Sequence, residues 1–141
     1  MLTQYGVLPV RRTAGGRLEV LLITSRDTRR WVVPRGNPIA GKSPPESAAQ
    51  EAFEEAGIVG AVDPEAIGLY SYEKRRRLRG AVPALVHLFR MRVEEERDDW
   101  PEKSQRERRW FAPHEAAAAV AESDLAELIR ALDPDPDPEV E

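Results

Sequence analysis

GNPIAGKSPPESAAQEAFEEAGI, Gly36 to Ile58, is the stretch from which the rest of the chain can be read. Ser43 suits a helix N-cap, Pro44 the first helical position, and Glu46 the return position of a capping box. Gly57 supplies the stop. The spacing therefore predicts a helix over Pro44 to Ala56. Ala48, Ala49, Ala52, Phe53 and Ala56 fall on one side of it, and small alanines let a helix lie close to a sheet. At about 100° per residue, Glu51, Glu54 and Glu55 gather on another side within an arc of about 100°. Like charges at these spacings repel, and no Lys or Arg stands between positions 43 and 73 to neutralise them. A solvated acidic face is one reading. The Gly stop, the Gly-containing loop before the helix and the small apolar opposite side favour a site for a hard divalent cation, Mg²⁺ or Mn²⁺.

Outward from the helix, Tyr5 to Val10 and Leu18 to Thr24 read as strands joined by the turn Thr13 to Gly16, a hairpin. Trp31 to Val33 is a third extended piece, stopped by Pro34. Arg35 to Lys42 reads as a loop. Ile67 to Tyr72 and Ala84 to Val93 read as strands around a basic loop, Lys74 to Arg79. Arg108 to Phe111 reads as a further strand. Pro113 to Ala121 and Ser123 to Leu132 read as helices. Residues 1–132 are expected to form one domain. Residues 133–141, with alternating Asp and Pro, are expected to be a disordered acidic tail.

Composition narrows the function classes. Hydrophobic residues make up 41% and charged residues 33%, which predicts a soluble globular chain. No run approaches the ~20 apolar residues of a membrane span. Cysteine is absent, so disulfides, zinc–thiolate sites and cysteine nucleophiles are excluded. A cytoplasmic location is the expectation. The tail holds five acids and no base, so the remainder is close to neutral, although the formal net charge is −4. Within it, acids dominate Glu46 to Glu55 and bases dominate Lys74 to Arg79, a separation suited to handling a metal and an anion.

The 36–58 stretch resembles the box of the Nudix hydrolase family, G-x5-E-x7-R-E-U-x-E-E-x-G-U, in which U is a bulky aliphatic residue. Gly36, Glu51, Glu54, Glu55, Gly57 and Ile58 match in register. Lys42 stands where the family has Glu, Gln50 where it has Arg, and Ala52 is smaller than usual. The Lys42 and Gln50 departures are read as linked. Trp31 to Pro34, the basic stretch, Asp99-Trp100 and Arg106 to Phe111 resemble the diphosphoinositol polyphosphate phosphohydrolase branch, which also takes in diadenosine polyphosphate hydrolysis.

The resemblance implies an α/β fold, the Nudix α/β/α sandwich with a mixed β-sheet. It implies metal-dependent hydrolysis of a phosphoanhydride by water, with Mg²⁺ or Mn²⁺ as cofactor. Glu51 and Glu55 are the implied metal ligands, with the backbone carbonyl of Arg35 and with Glu54 in the same set. Glu54 is the implied base. Arg26, Arg75 and Arg106 match phosphate-binding positions of the branch, with Lys74 and Arg76 from the same basic stretch beside them. The branch carries bases before its first strand, whereas this chain has Thr3-Gln4-Tyr5. That favours a dinucleoside polyphosphate as a competitor to a diphosphoinositol polyphosphate. The expected partner is a small phosphorylated molecule, with no membrane and no nucleic acid, the chain being a monomer or a homodimer. Two alternatives remain: a cap-type RNA pyrophosphohydrolase, and a Nudix-like module that binds a nucleotide or RNA without cleaving it.

Overall fold

A computed structural model of the chain describes residues 1–76, 78 and 80–132. The tail expected at 133–141, and Arg77 and Arg79 of the basic stretch, lie outside the described residues.

The predicted hairpin forms from β1 (Leu2–Arg12) and β2 (Leu18–Thr24), with Val10 opposite Val20. Two short strands follow, β3 (Trp31–Val32) and β4 (Arg35–Gly36), the second inside what the sequence reads as loop. Helix α1 spans Pro44–Ala56, as the capping signals require. Ser43 and Glu46 form the reciprocal box, and Gly57 ends the helix at φ 67°, in the left-handed region. Strand β5 (Ile58–Val62) leaves the helix directly. It was not anticipated, because no turn residues separate it from the helix stop.

Strands β6 (Gly68–Arg76) and β7 (Gly80–Glu96) make a long hairpin. Lys74, Arg75 and Arg76 are therefore strand residues rather than loop, paired with Val82, Ala81 and Gly80. Strand pairing extends past Tyr72 because the ladder satisfies these backbone groups whatever the side-chain charge. Strand β8 (Arg108–Phe111) and helices α2 (Pro113–Ala119) and α3 (Ser123–Arg130) complete the described chain.

The sheet is mixed. Its central path runs β3-β2-β1-β7-β5, with β1 and β7 parallel and the other pairs antiparallel. β4 pairs with β1, β6 with β7 and β8 with β2. Along one edge of β1, Val10 to Arg12 pair with β2, whereas Tyr5 and Gly6 pair with β4. The two hairpin strands thus part company, and the segment 25–36 fills the opening between them.

Alternation along the strands separates two apolar layers. Val7, Leu21, Ile23, Phe89 and Met91 pack with Ala48, Ala52 and Ala56 of α1. Leu8, Val20, Leu22, Val86 and Leu88 pack with Ala117, Leu125 and Ile129 of α2 and α3. This is the expected sandwich, with the sheet between helices. No described helix is long and apolar enough to cross a membrane.

Candidate active site

A cleft of about 590 Å³ opens where the segment 25–36, the N-terminal loop of α1, β6 and the loop before β8 meet. Glu51 and Glu55, one turn apart on α1, both line it. Glu55 is fixed from two directions. Its Oε1 accepts the Arg35 backbone N–H at 3.1 Å, and its Oε2 stands 3.2 Å from Arg106 Nη2. Glu51 lies directly over Gly36. A Cβ added at Gly36 would stand 2.3 Å from the Glu51 Cδ, so only glycine leaves the carboxylate room there. This close approach explains the first glycine of the box.

Both carboxyls hold their protons more tightly than an ordinary glutamate. Burial pushes Glu51 up to about 7, and the nearby Glu54 and Glu102 push in the same direction. Burial also pushes Glu55 up to about 7, although Arg106 and the Arg35 N–H pull it back. The donor set therefore gains from a cation. Among the described residues no group of three or more Asp, Glu or His side chains stands close enough to grip an ion. Two partly buried carboxylates still fit Mg²⁺, which keeps several waters and commonly takes one or two carboxylates together with substrate phosphates.

The structure divides the predicted acidic triad. Glu54 does not line the cleft. Its Oε1 instead accepts from Gln50 Nε2 at 3.0 Å, one turn back on α1. Gln50 thus spends its amide on Glu54, while Lys42 is exposed in the turn before the helix. In place of Glu54 the cleft gains Glu102, which sequence reasoning missed. The Glu102 N–H donates to the Glu54 carbonyl at 3.0 Å, and Trp100 Nε1 donates to the Glu55 carbonyl at 3.2 Å. Trp100 packs on Gly57, where a Cβ would meet its ring at 2.6 Å. Arg108 stacks on the same ring, its Cζ 4.1 Å from the centroid, and donates to the Ala56 carbonyl at 2.9 Å. The end of α1 is therefore capped by a distant segment that also delivers Glu102. The only signal in the sequence was the Asp99-Trp100 pair, which says nothing of what the tryptophan rests on.

Of the predicted cationic residues, Arg26, Lys74, Arg75 and Arg106 line the cleft, and Arg76 does not. Arg106 is the most committed. Its Nε donates to Glu102 at 2.8 Å, its Nη1 to the Thr24 carbonyl at 3.1 Å and its Nη2 to Glu55. It organises carboxylates as well as facing the cleft. Arg35 contributes more than backbone. Its guanidinium donates to Tyr70 Oη at 3.1 Å and lies 3.7 Å from the centre of the Tyr72 ring. Burial opposes its charge, yet the two tyrosines hold it above the usual arginine range. Tyr72 Oη in turn donates to Gln4 Oε1, and Gln4 Nε2 to Asn37 Oδ1 at 3.1 Å. One face of Tyr72 is thus already taken by Arg35. Trp31 packs edge-on to Phe111 at 5.0 Å and does not line the cleft.

The fold recurs in known proteins. Residues 3–132 match the family model described as NUDIX domain. The chain belongs to the Nudix family. Nudix hydrolase 21, chloroplastic, of Arabidopsis thaliana is 30% identical over 130 residues, covering 90% of this chain and 64% of that protein. Diphosphoinositol polyphosphate phosphohydrolase 3-alpha of Mus musculus is 32% identical over 101 residues, covering 70% of this chain and 57% of that one. This Nudix chain therefore spans roughly three fifths of either relative. Among solved structures, the C. elegans Ap4A hydrolase superimposes with a TM-score of 0.63 at 18% identity, over 92% of this chain and 94% of that one. That likeness establishes the Nudix fold, as the residues of the box had implied.

Proposed function

We propose that this chain hydrolyses a phosphoanhydride bond in a small polyphosphate substrate, with a divalent metal ion held by Glu51 and Glu55. The observation that carries the reading is the pair of partly buried carboxylates, Glu51 against Gly36 and Glu55 against the Arg35 N–H, in a cleft rimmed by Arg26, Lys74 and Arg75. Carboxylates partly withdrawn from water are costly to ionise, and such acids beside an anion-binding rim have a purpose if a cation joins them. When bound, Mg²⁺ or Mn²⁺ supplies charge neutralisation at the phosphate oxygens and makes water more acidic.

The remaining work falls to the chain. Arg26, Lys74 and Arg75 bind and orient the polyphosphate, arginine by its two-pronged contact with paired oxygens. Arg106 and the Arg35 N–H hold Glu55 in place. The carbonyl of Arg35, predicted as a further ligand, sits on the same short strand as Gly36. A cleft carboxylate accepts the proton of the attacking water. Glu54 was the residue expected to do so, but its side chain is paired with Gln50. Glu102 lines the cleft with its Oε1 held by Arg106, and we assign the proton to its Oε2.

The substrate classes supported by the relatives' names are diphosphoinositol polyphosphates and diadenosine polyphosphates. Lys74 and Arg75 line a concave cleft, which favours a small ligand over RNA. The deciding experiment is a phosphate-product assay with Mg²⁺ and Mn²⁺ over dinucleoside polyphosphates, diphosphoinositol polyphosphates, nucleoside triphosphates, ADP-ribose and capped RNA. Turnover confined to capped RNA, or binding with no turnover at all, would replace this reading.

A further inference from the structure

The two neighbours of Gly36 in the chain, Arg35 and Asn37, converge on one side chain. The Arg35 guanidinium lies 3.7 Å from the centre of the Tyr72 ring and donates to Tyr70 Oη at 3.1 Å. Asn37 Oδ1 accepts from Gln4 Nε2 at 3.1 Å, and Gln4 Oε1 accepts from Tyr72 Oη at 2.6 Å. Tyr72 therefore holds Arg35 by its ring face and Asn37, through Gln4, by its hydroxyl. To do so it reaches from β6 over β7 to β1. Its register partner on β7 is Ala84, a side chain too small to block the way. Gln4 is 2% exposed, and both ends of its amide are spent in this link. Strand β4 needs such ties because it is only two residues long, Arg35 and Gly36 pairing with Gly6 and Tyr5 of β1. So short a ladder supplies few hydrogen bonds, each worth a net ~1 kcal/mol. Yet this strand provides the N–H that holds Glu55 and the glycine against which Glu51 lies.

We propose that Tyr72 is a positioning residue for the acidic pair. By gripping both neighbours of Gly36 it seats β4, so that the Arg35 N–H meets Glu55 and Gly36 admits Glu51. Tyr72 acts on the carboxylates through the backbone of β4 rather than by contact with them. Gln4 is its second arm: a neutral amide, sealed between two strands, carries the grip of the tyrosine hydroxyl to the loop before α1. Groups that orient metal ligands from behind change metal affinity without touching the ion. This role rests on the reading of Glu51 and Glu55 as metal ligands, but its first readout needs no metal.

The test takes two readouts on the full chain, both without substrate. One is hydrogen exchange at the Arg35 amide in the metal-free chain, followed by NMR against the β2 amides. The other is calorimetric titration with Mg²⁺. Tyr72→Leu removes both grips, so it should speed exchange at Arg35 about tenfold or more and weaken Mg²⁺ binding about tenfold or more. Tyr72→Phe keeps the ring under Arg35 and should rescue part of both losses. Gln4→Leu cuts the tie to Asn37 from its other end. Tyr72→Phe and Gln4→Leu together should therefore lose no more than the larger single loss. A lower melting temperature in Tyr72→Leu, with Arg35 exchange and Mg²⁺ affinity as in wild type, would overturn the assignment. So would a loss confined to binding of diadenosine tetraphosphate, which would make Tyr72 a substrate contact. If the wild type takes up no Mg²⁺, the metal reading fails. Faster Arg35 exchange in Tyr72→Leu would then still uphold the seating of β4, and unchanged exchange would end both.

Discussion

Arg106 Nη2 lies 3.2 Å from Glu55 Oε2, and the two side chains are 9% and 12% exposed. The same guanidinium grips Glu102 and the Thr24 carbonyl, so one arginine ties helix α1, strand β2 and the segment before β8 into one wall of the cleft. Removing one member of a nearly buried ion pair leaves the other uncompensated. Arg106→Gln should therefore cost ~3 kcal/mol of stability at pH 8. Without its arginine the Glu55 carboxyl, already raised to about 7, is readily neutralised by protonation. The loss should accordingly shrink near pH 5.5. Urea unfolding at the two pH values checks this, and an equal loss at both would show that Glu55 is not the partner that matters.

Glu51 and Glu55 also set the pH response of the metal-free chain. Each is raised to about 7 from an ordinary value of 4.5, so the folded state holds these protons more tightly than the unfolded state. Their contribution to stability is then complete below 4.5 and is lost as pH rises through 7. The melting temperature without metal should fall between pH 5 and pH 8, and Mg²⁺ should restore it mainly at the higher pH, where no proton must be displaced. A flat melting profile, or equal Mg²⁺ stabilisation at both ends, would separate these acids from the metal.

Gly36→Ala places a methyl group where the Glu51 carboxylate now sits. The side chain can swing away, so unfolding should change by about 1 kcal/mol or less. Metal affinity, read by titration calorimetry, should drop about tenfold or more through loss of a positioned ligand. Unaltered metal binding in a folded Gly36→Ala protein would mean that Glu51 does not act from its present position.

The proton acceptor can be ranked by paired substitutions. Glu102→Gln should lower kcat by about 10²-fold or more, the usual share of a general base. Glu54→Gln, at a residue outside the cleft lining, should lower it less. The reverse ranking under saturating Mg²⁺ would return the role to Glu54, as the family resemblance first implied.

The box was legible because its determinants are local. Ser43, Pro44, Glu46 and Gly57 fix the ends of α1 through contacts within a turn, and the helix appears with those bounds. The hairpin of β1 and β2 was legible for the same reason. The Lys74 to Arg76 extension of β6 was not. Its charges argue for a loop, and only the facing strand β7 supplies the ladder. β5 was hidden too, since no turn residues set it off from the helix stop; its ladder shifts register at Val59–Gly60, where a Cβ on Gly60 would collide with the Arg92 carbonyl.

Local sequence alone therefore determined a capped helix carrying three acids on one side. Which of those acids face the cleft was decided elsewhere. The docking of Trp100 on Gly57 brings in Glu102, Gln50 takes up Glu54, and Arg106 arrives from 51 residues away to hold Glu55. A carboxylate's neighbours across the fold, unlike its place on a helix, have no signature in the spacing of one segment. They follow from packing between surfaces that meet only when the sheet is assembled.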